Sequence, residues 1–86
     1  DYLFPSDTQV ITEDYLETQT QENIALIRNE IYARHGYKFS NETYQNYFSA
    51  KPWYHENSAF DESQFNDIEK QNKTIIVEYE KKMGWR

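Results

Sequence analysis

Between Thr20 and Gly36 the chain places Ile24, Ile27 and Ile31 at helical spacing, and Arg28 and His35 fall inside the same stripe. This segment therefore reads as a helix that must bury polar side chains. Thr20 is a good N-terminal cap, and Gly36 is suited to the left-handed residue that ends a helix. Leu26 and Ala33 fall almost opposite the isoleucines, so the helix is expected to be covered on two sides. A buried polar group without a partner costs several kcal/mol, and each of these residues must find one.

The other long helix reads from Asn66 to about Lys82, because Asn66 and Glu69 match the two positions of a capping box. Its apolar stripe comprises Phe65, Ile68, Ile75, Ile76, Tyr79 and Met83, with Asn72 at its centre. Arg28 has a fork suited to a bidentate carboxylate, and Glu69 is its expected partner, at the expense of the capping-box bond. Asn72 lies one turn later and is expected to bond backbone where the chain leaves Gly36. Arg28, His35, Glu69 and Asn72 thus read as an internal polar network that fixes helix register.

Between these helices, Ser40 opens a third that carries Tyr44, Tyr47 and Phe48 on one face and stops before Pro52. Thr12 caps a short helix or turn through Leu16, and Asp61 with Gln64 caps a brief turn. Strand signals are weak throughout. The expected fold is all-α, a compact bundle of three main helices plus a short N-terminal helix or turn, with no significant sheet. Residues 1–11 read as an irregular N-terminal segment, 12–83 as a single helical domain and 84–86 as a C-terminal tail. The start at Asp1 suggests a fragment excised from a longer chain.

Such a fold is short of ordinary core residues. Only 17 of the 86 residues are Leu, Ile, Val or Phe and the net charge is −6, a composition bordering on disorder. Eight Tyr and two Trp make up the difference, since each aromatic buries roughly 150–250 Å². Cysteine is absent, so there is no disulfide or thiolate site to fasten the domain. No apolar run is long enough to insert this fragment directly into a membrane. The acidic balance opposes nucleic-acid binding, which needs cations for the phosphates. Lys81, Lys82 and Arg86 instead close a helix, where positive charge suits the dipole.

No phosphate loop, nucleophile elbow or metal-binding spacing is present, so neither metal nor cofactor is expected. Glu30 and His35 lie on different faces of one straight helix and cannot share a site. Arg34, on the flank of that helix, is expected to present its guanidinium beside Trp53 or Tyr54. With Tyr37 these residues form the candidate binding surface, against the plainer reading of Trp53 and Tyr54 as core plugs.

The run Arg28-Asn29-Glu30-Ile31-Tyr32-Ala33-Arg34-His35-Gly36-Tyr37-Lys38-Phe39 resembles the signature of the YARHG domain, a bacterial family. Thr12 to Leu16, Tyr47-Phe48, Trp53-Tyr54 and Asn66 to Asn72 resemble its other elements, with Phe65 where Leu is usual. The resemblance covers about Ile11 to Glu80. It implies a domain outside the cytoplasm, in cell-envelope proteins that are lipoproteins or membrane-anchored, and it implies no established activity. The expected function is a non-catalytic interaction module that binds an envelope protein, a peptide or a cell-wall polymer. The alternatives are a small hydrolase or transferase using His35 with a carboxylate, and a purely structural spacer. Oligomeric state is left open.

Overall fold

The structure, a computed structural model, describes residues 2–86; Asp1, the first residue of the expected irregular segment, lies outside them. Helices α1 (Glu13–Glu17), α2 (Gln21–Arg34), α3 (Glu42–Ser49) and α4 (Asp67–Lys82) follow in order, with one 3-10 turn at Glu62–Gln64 before α4. No strand occurs among the described residues, and the fold is all-α.

Each helix begins where a short polar side chain accepts from the first turn. Thr12, Thr20, Asn41 and Asn66 cap α1 to α4, and Asp61 caps the 3-10 turn. Helix α2 ends through Gly36 at φ +85°, with the Tyr37 amide donating back to the Tyr32 carbonyl at 3.2 Å. A side chain at Gly36 has no room, because a Cβ there would lie 2.5 Å from the His55 carbonyl oxygen.

Helix α2 packs on α4 along one side and on α3 along another, while α1 packs on α4. Its isoleucines join Ile11, Leu16, Ile76 and Tyr79 in one cluster, which Phe4 and Phe65 complete. Ala33, on its other side, joins Phe39, Phe48 and Tyr54 in a second, with Leu26 packed against it. The two-sided covering expected of this helix is present, and Tyr32 packs against both clusters. Met83, placed on the α4 stripe by its spacing, is instead exposed, because the helix ends at Lys82.

Residues 2–11 carry no helix, yet they bury Phe4, Ser6 and Ile11. Turns satisfy part of their backbone, as where the Gln9 amide donates to the Pro5 carbonyl at 2.9 Å, and the rest draws its partners from side chains on or beside the helices. Glu30 accepts from the Leu3 amide at 2.9 Å, Asn66 donates to the Asp7 carbonyl at 2.9 Å, and Asn72 bonds this segment three times. This strap is part of the folded unit. At the other end, Trp85 packs edge-on against Tyr79 and Arg86 reaches Glu80 at 2.9 Å.

Candidate functional site

Asn72 is fully buried at the middle of α4. Its Oδ1 accepts from the Ile11 amide at 2.8 Å, and its Nδ2 donates to the carbonyls of Ser6 at 2.9 Å and Gln9 at 2.8 Å. The expected bond to the chain leaving Gly36 is not made, because the strap runs beneath α4 at this point. Asparagine supplies both a donor and an acceptor from one planar group, as this position demands.

Glu69 stands on the first turn of α4 and is buried. Its Oε1 accepts from the Asn66 amide at 2.9 Å, completing the capping box, and His35 Nε2 lies 3.0 and 2.9 Å from its two oxygens. Its Oε2 also faces Arg34 Nη2 at 3.5 Å. One carboxylate thus serves both the cap and an ion pair, contrary to the expectation that one would exclude the other. Four lone-pair sites on two oxygens make this possible.

The predicted pairing of Arg28 with Glu69 is corrected. Arg28 Nε and Nη2 hold Glu80 at 2.9 and 3.3 Å, and Arg86 binds the same carboxylate at 2.9 Å. The end of α2 meets the start of α4, as the His35–Glu69 contact shows, so Arg28, nearly two turns earlier on α2, faces the far end of α4. Glu80 is the acidic residue that the sequence reading missed. It follows Asn72 and Ile76 at intervals of four, a spacing that marks the buried face.

Arg34 does not project beside Trp53 or Tyr54. Only 5% of its side chain is exposed, and it lies among Ser6 Oγ, Glu69 and Glu30, the last at 3.5 Å. Its guanidinium covers the Tyr2 ring at 4.7 Å from the centroid, and Trp53 meets the same ring edge-on at 5.1 Å. The strap supplies the aromatic partner that had been assigned to the loop after α3. Glu30, one turn back on α2, makes no hydrogen bond to His35 among the described residues, and Arg34 links it to Glu69, the partner of His35. Burial raises the Glu30 carboxyl above its ordinary value, against the lowering effect of the Leu3 and Phe4 amides and of Arg34.

The candidate surface of Arg34, Tyr37, Trp53 and Tyr54 is therefore divided. Tyr54 is buried with its hydroxyl donating to the Tyr37 carbonyl at 2.8 Å, and Trp53 packs against Phe48. Tyr37 faces a cleft in company with Arg28, Asn29, Tyr32, Phe60 and Glu62.

His35 and Glu69 border a shallow depression of about 270 Å³ with Tyr2, Asp7, Arg34 and Asn66. His35 is accessible, with 24% of its side chain exposed, and its Nε2 is committed to Glu69. No serine or threonine hydroxyl lines that depression, and Ser6 beneath it is fully buried. The arrangement locks the end of α2 to the start of α4. No group of three potential metal ligands is found among the described residues.

The sequence model of the YARHG domain matches residues 1–81. This chain belongs to the YARHG domain family. The match takes in the strap as well as the helices, in keeping with the burial of Phe4, Ser6 and Ile11. The YARHG domain is also similar in fold to part of a candidate nutrient-binding protein from Legionella pneumophila. The TM-score is 0.70, with 28% sequence identity over 79% of this chain, which spans only 22% of that protein. A search of the curated proteins found no match. No helix among the described residues of the YARHG domain is long and apolar enough to cross a membrane.

Proposed function

We propose that this YARHG domain is a non-catalytic interaction module of an extracytoplasmic bacterial envelope protein, binding a protein, a peptide or a cell-wall polymer. The observation that carries the reading is the inward direction of the signature. Arg34 is buried against Ser6, Glu30 and Glu69, His35 closes on Glu69, and Gly36 is sealed against His55 and Asn57. These residues build the scaffold and leave recognition to the surface around them. Likeness to one part of a larger candidate nutrient-binding protein supports the notion of a module within a binding protein.

Catalysis by His35 with Glu69 is the weaker reading. A general base must reach its substrate with a free lone pair, and a nucleophile must stand beside it. Here Nε2 is engaged by Glu69, and the depression is lined by no serine, threonine or cysteine that could serve as the nucleophile.

The experiment is co-sedimentation of the purified domain with insoluble cell-wall sacculi, paired with crosslinking to an envelope-protein fraction. Saturable retention by one of them is expected, unchanged in a folded His35→Gln variant. Retention by neither leaves the spacer reading and overturns this one. Turnover of sacculi that vanishes in His35→Gln overturns the non-catalytic assignment.

A further inference from the structure

Beside α2 a cleft of about 310 Å³ is lined by Arg28, Asn29, Tyr32, Tyr37, Phe60 and Glu62. We infer that this cleft is a saccharide site that takes one uncharged pyranose ring of a glycan, an inference that rests on the interaction-module reading and gives it a location and a ligand class.

The three rings meet at an angle and form an apolar corner. Tyr37 stands edge-on to Tyr32 at 5.5 Å and to Phe60 at 5.1 Å, and Tyr32 lies 6.0 Å from Phe60. All three are half-buried, anchored in the core on one side and lining the cleft on the other. Such a corner accepts the C–H face of a sugar, which is apolar although its rim is not.

The polar lining decides the charge of the ligand. Glu62 is paired with Lys73 at 2.6 Å, and Arg28 and Arg86 both hold the Glu80 carboxylate at 2.9 Å, so each charged group of the lining already has a partner of opposite sign. Yet donors and acceptors remain. Arg28 uses Nε and Nη2 on Glu80, leaving Nη1; Asn29 donates from Nδ2 to the Ala25 carbonyl at 2.8 Å, leaving Oδ1; and the Tyr37 hydroxyl makes no hydrogen bond among the described residues.

These groups are held before any ligand arrives, which reduces the ordering cost of binding. A ligand with an apolar face, many hydroxyls and no charge matches them. A peptide strand has no sheet edge to join here. The volume is near the lower end of ligand pockets, enough for one ring and its substituents.

The test is a heteronuclear NMR titration of the intact domain with chitotriose and with cellotriose, and with trialanine as the peptide comparison. Saturable shifts are expected at Asn29, Tyr37, Phe60 and Glu62 with at least one of the sugars. Losing one ring platform in Phe60→Leu should weaken binding about tenfold, an effect of ordinary size for one aromatic contact. Arg28→Lys, which keeps the charge for Glu80 but removes the planar fork, should weaken it less. Circular dichroism checks that each variant is folded.

The inference is overturned by an absence of shifts with both sugars, by shifts on another face, by equal affinity in both variants, or by equal response to trialanine. The sacculus and envelope assay separates the two levels of failure. Wild-type retention that survives in Phe60→Leu removes this site and leaves the module reading standing, whereas absence of wild-type retention removes that reading itself.

Discussion

The two clusters on either side of α2 are assembled from different parts of the chain. The aliphatic cluster gathers residues from Phe4 to Tyr79, whereas the aromatic cluster draws its buried members from Ala33 to Tyr54. Distance along the chain explains the difference in their polar content. Helices brought together from far apart can slide, and the aliphatic side is pinned by buried Glu30, Glu69, Asn72 and Glu80. The aromatic side is local, and ring contacts such as Phe39 on Phe48 at 5.2 Å supply shape without slippage. Two side chains, Gln45 and Tyr54, bond the intervening backbone at Phe39 and Tyr37. Polar groups therefore appear where register must be specified, as a hypothesis that substitution can break.

Gly36 joins the two sides, and Gly36→Ala should have the largest effect. The new Cβ would meet the His55 oxygen at 2.5 Å and the Asn57 nitrogen at 2.7 Å, both backbone atoms. Relief would require the 55–57 loop to move, although the Asn57 amide is bonded to the Gly36 carbonyl at 2.8 Å. With left-handed strain added, the expected loss is more than about 3 kcal/mol in chemical denaturation. Gly84→Ala isolates the strain alone, since φ is +77° and no atom lies within 4 Å, and it should cost about 1 kcal/mol. Equal losses at the two glycines would mean that the junction yields easily and that the two sides are not tightly coupled.

Asn72→Leu tests the register side directly. The shapes are similar, but the Ile11 amide and the Ser6 and Gln9 carbonyls lose their partner. The expected cost is about 3 kcal/mol, set by desolvated backbone groups rather than by volume. Hydrogen exchange should quicken across residues 3–11 and remain slow in the aromatic cluster. Unchanged protection in the strap would show that Phe4 and Ile11 hold it by packing alone.

The helices were legible in the sequence because capping residues and the closing glycine report local backbone needs, which tertiary packing did not override, although α3 is capped by Asn41 rather than opened by Ser40. Much of the buried face of α4 was legible from helical spacing, down to Asn72 as its polar centre, although Glu80 was missed and Met83 is exposed. What was hidden was the partner of each polar residue. Nothing in the strap's composition reveals that its carbonyls lie under α4, and Ser6, Asp7 and Gln9 look like an ordinary solvated turn. Arg34 was misplaced for that reason: its flank position suited an exposed role, and only the strap, with Ser6 and Tyr2, turns it into a buried one. Glu69 taught a different lesson, since a choice between two bonds was assumed where one carboxylate makes both.

Glu30 offers the smallest and most selective test, a change in the pH dependence of stability. Burial raises its carboxyl above the ordinary 4.5, while the Leu3 and Phe4 amides, Arg34 and Lys51 act the other way. Between 4.5 and its higher folded value, the native protein binds more protons at this group than the unfolded chain does. The contribution of Glu30 to stability therefore falls as pH rises through that window and is constant above and below it. Glu30→Gln removes the titration while keeping an acceptor for the strap. Denaturation midpoints measured across the window should decline less steeply in the variant than in the wild type, with the two curves parallel elsewhere. Parallel curves throughout would show that Glu30 carries no electrostatic strain on the register side, and the aromatic side, which holds no buried carboxylate among the described residues, should leave the difference unaltered when Phe48 is replaced by Leu.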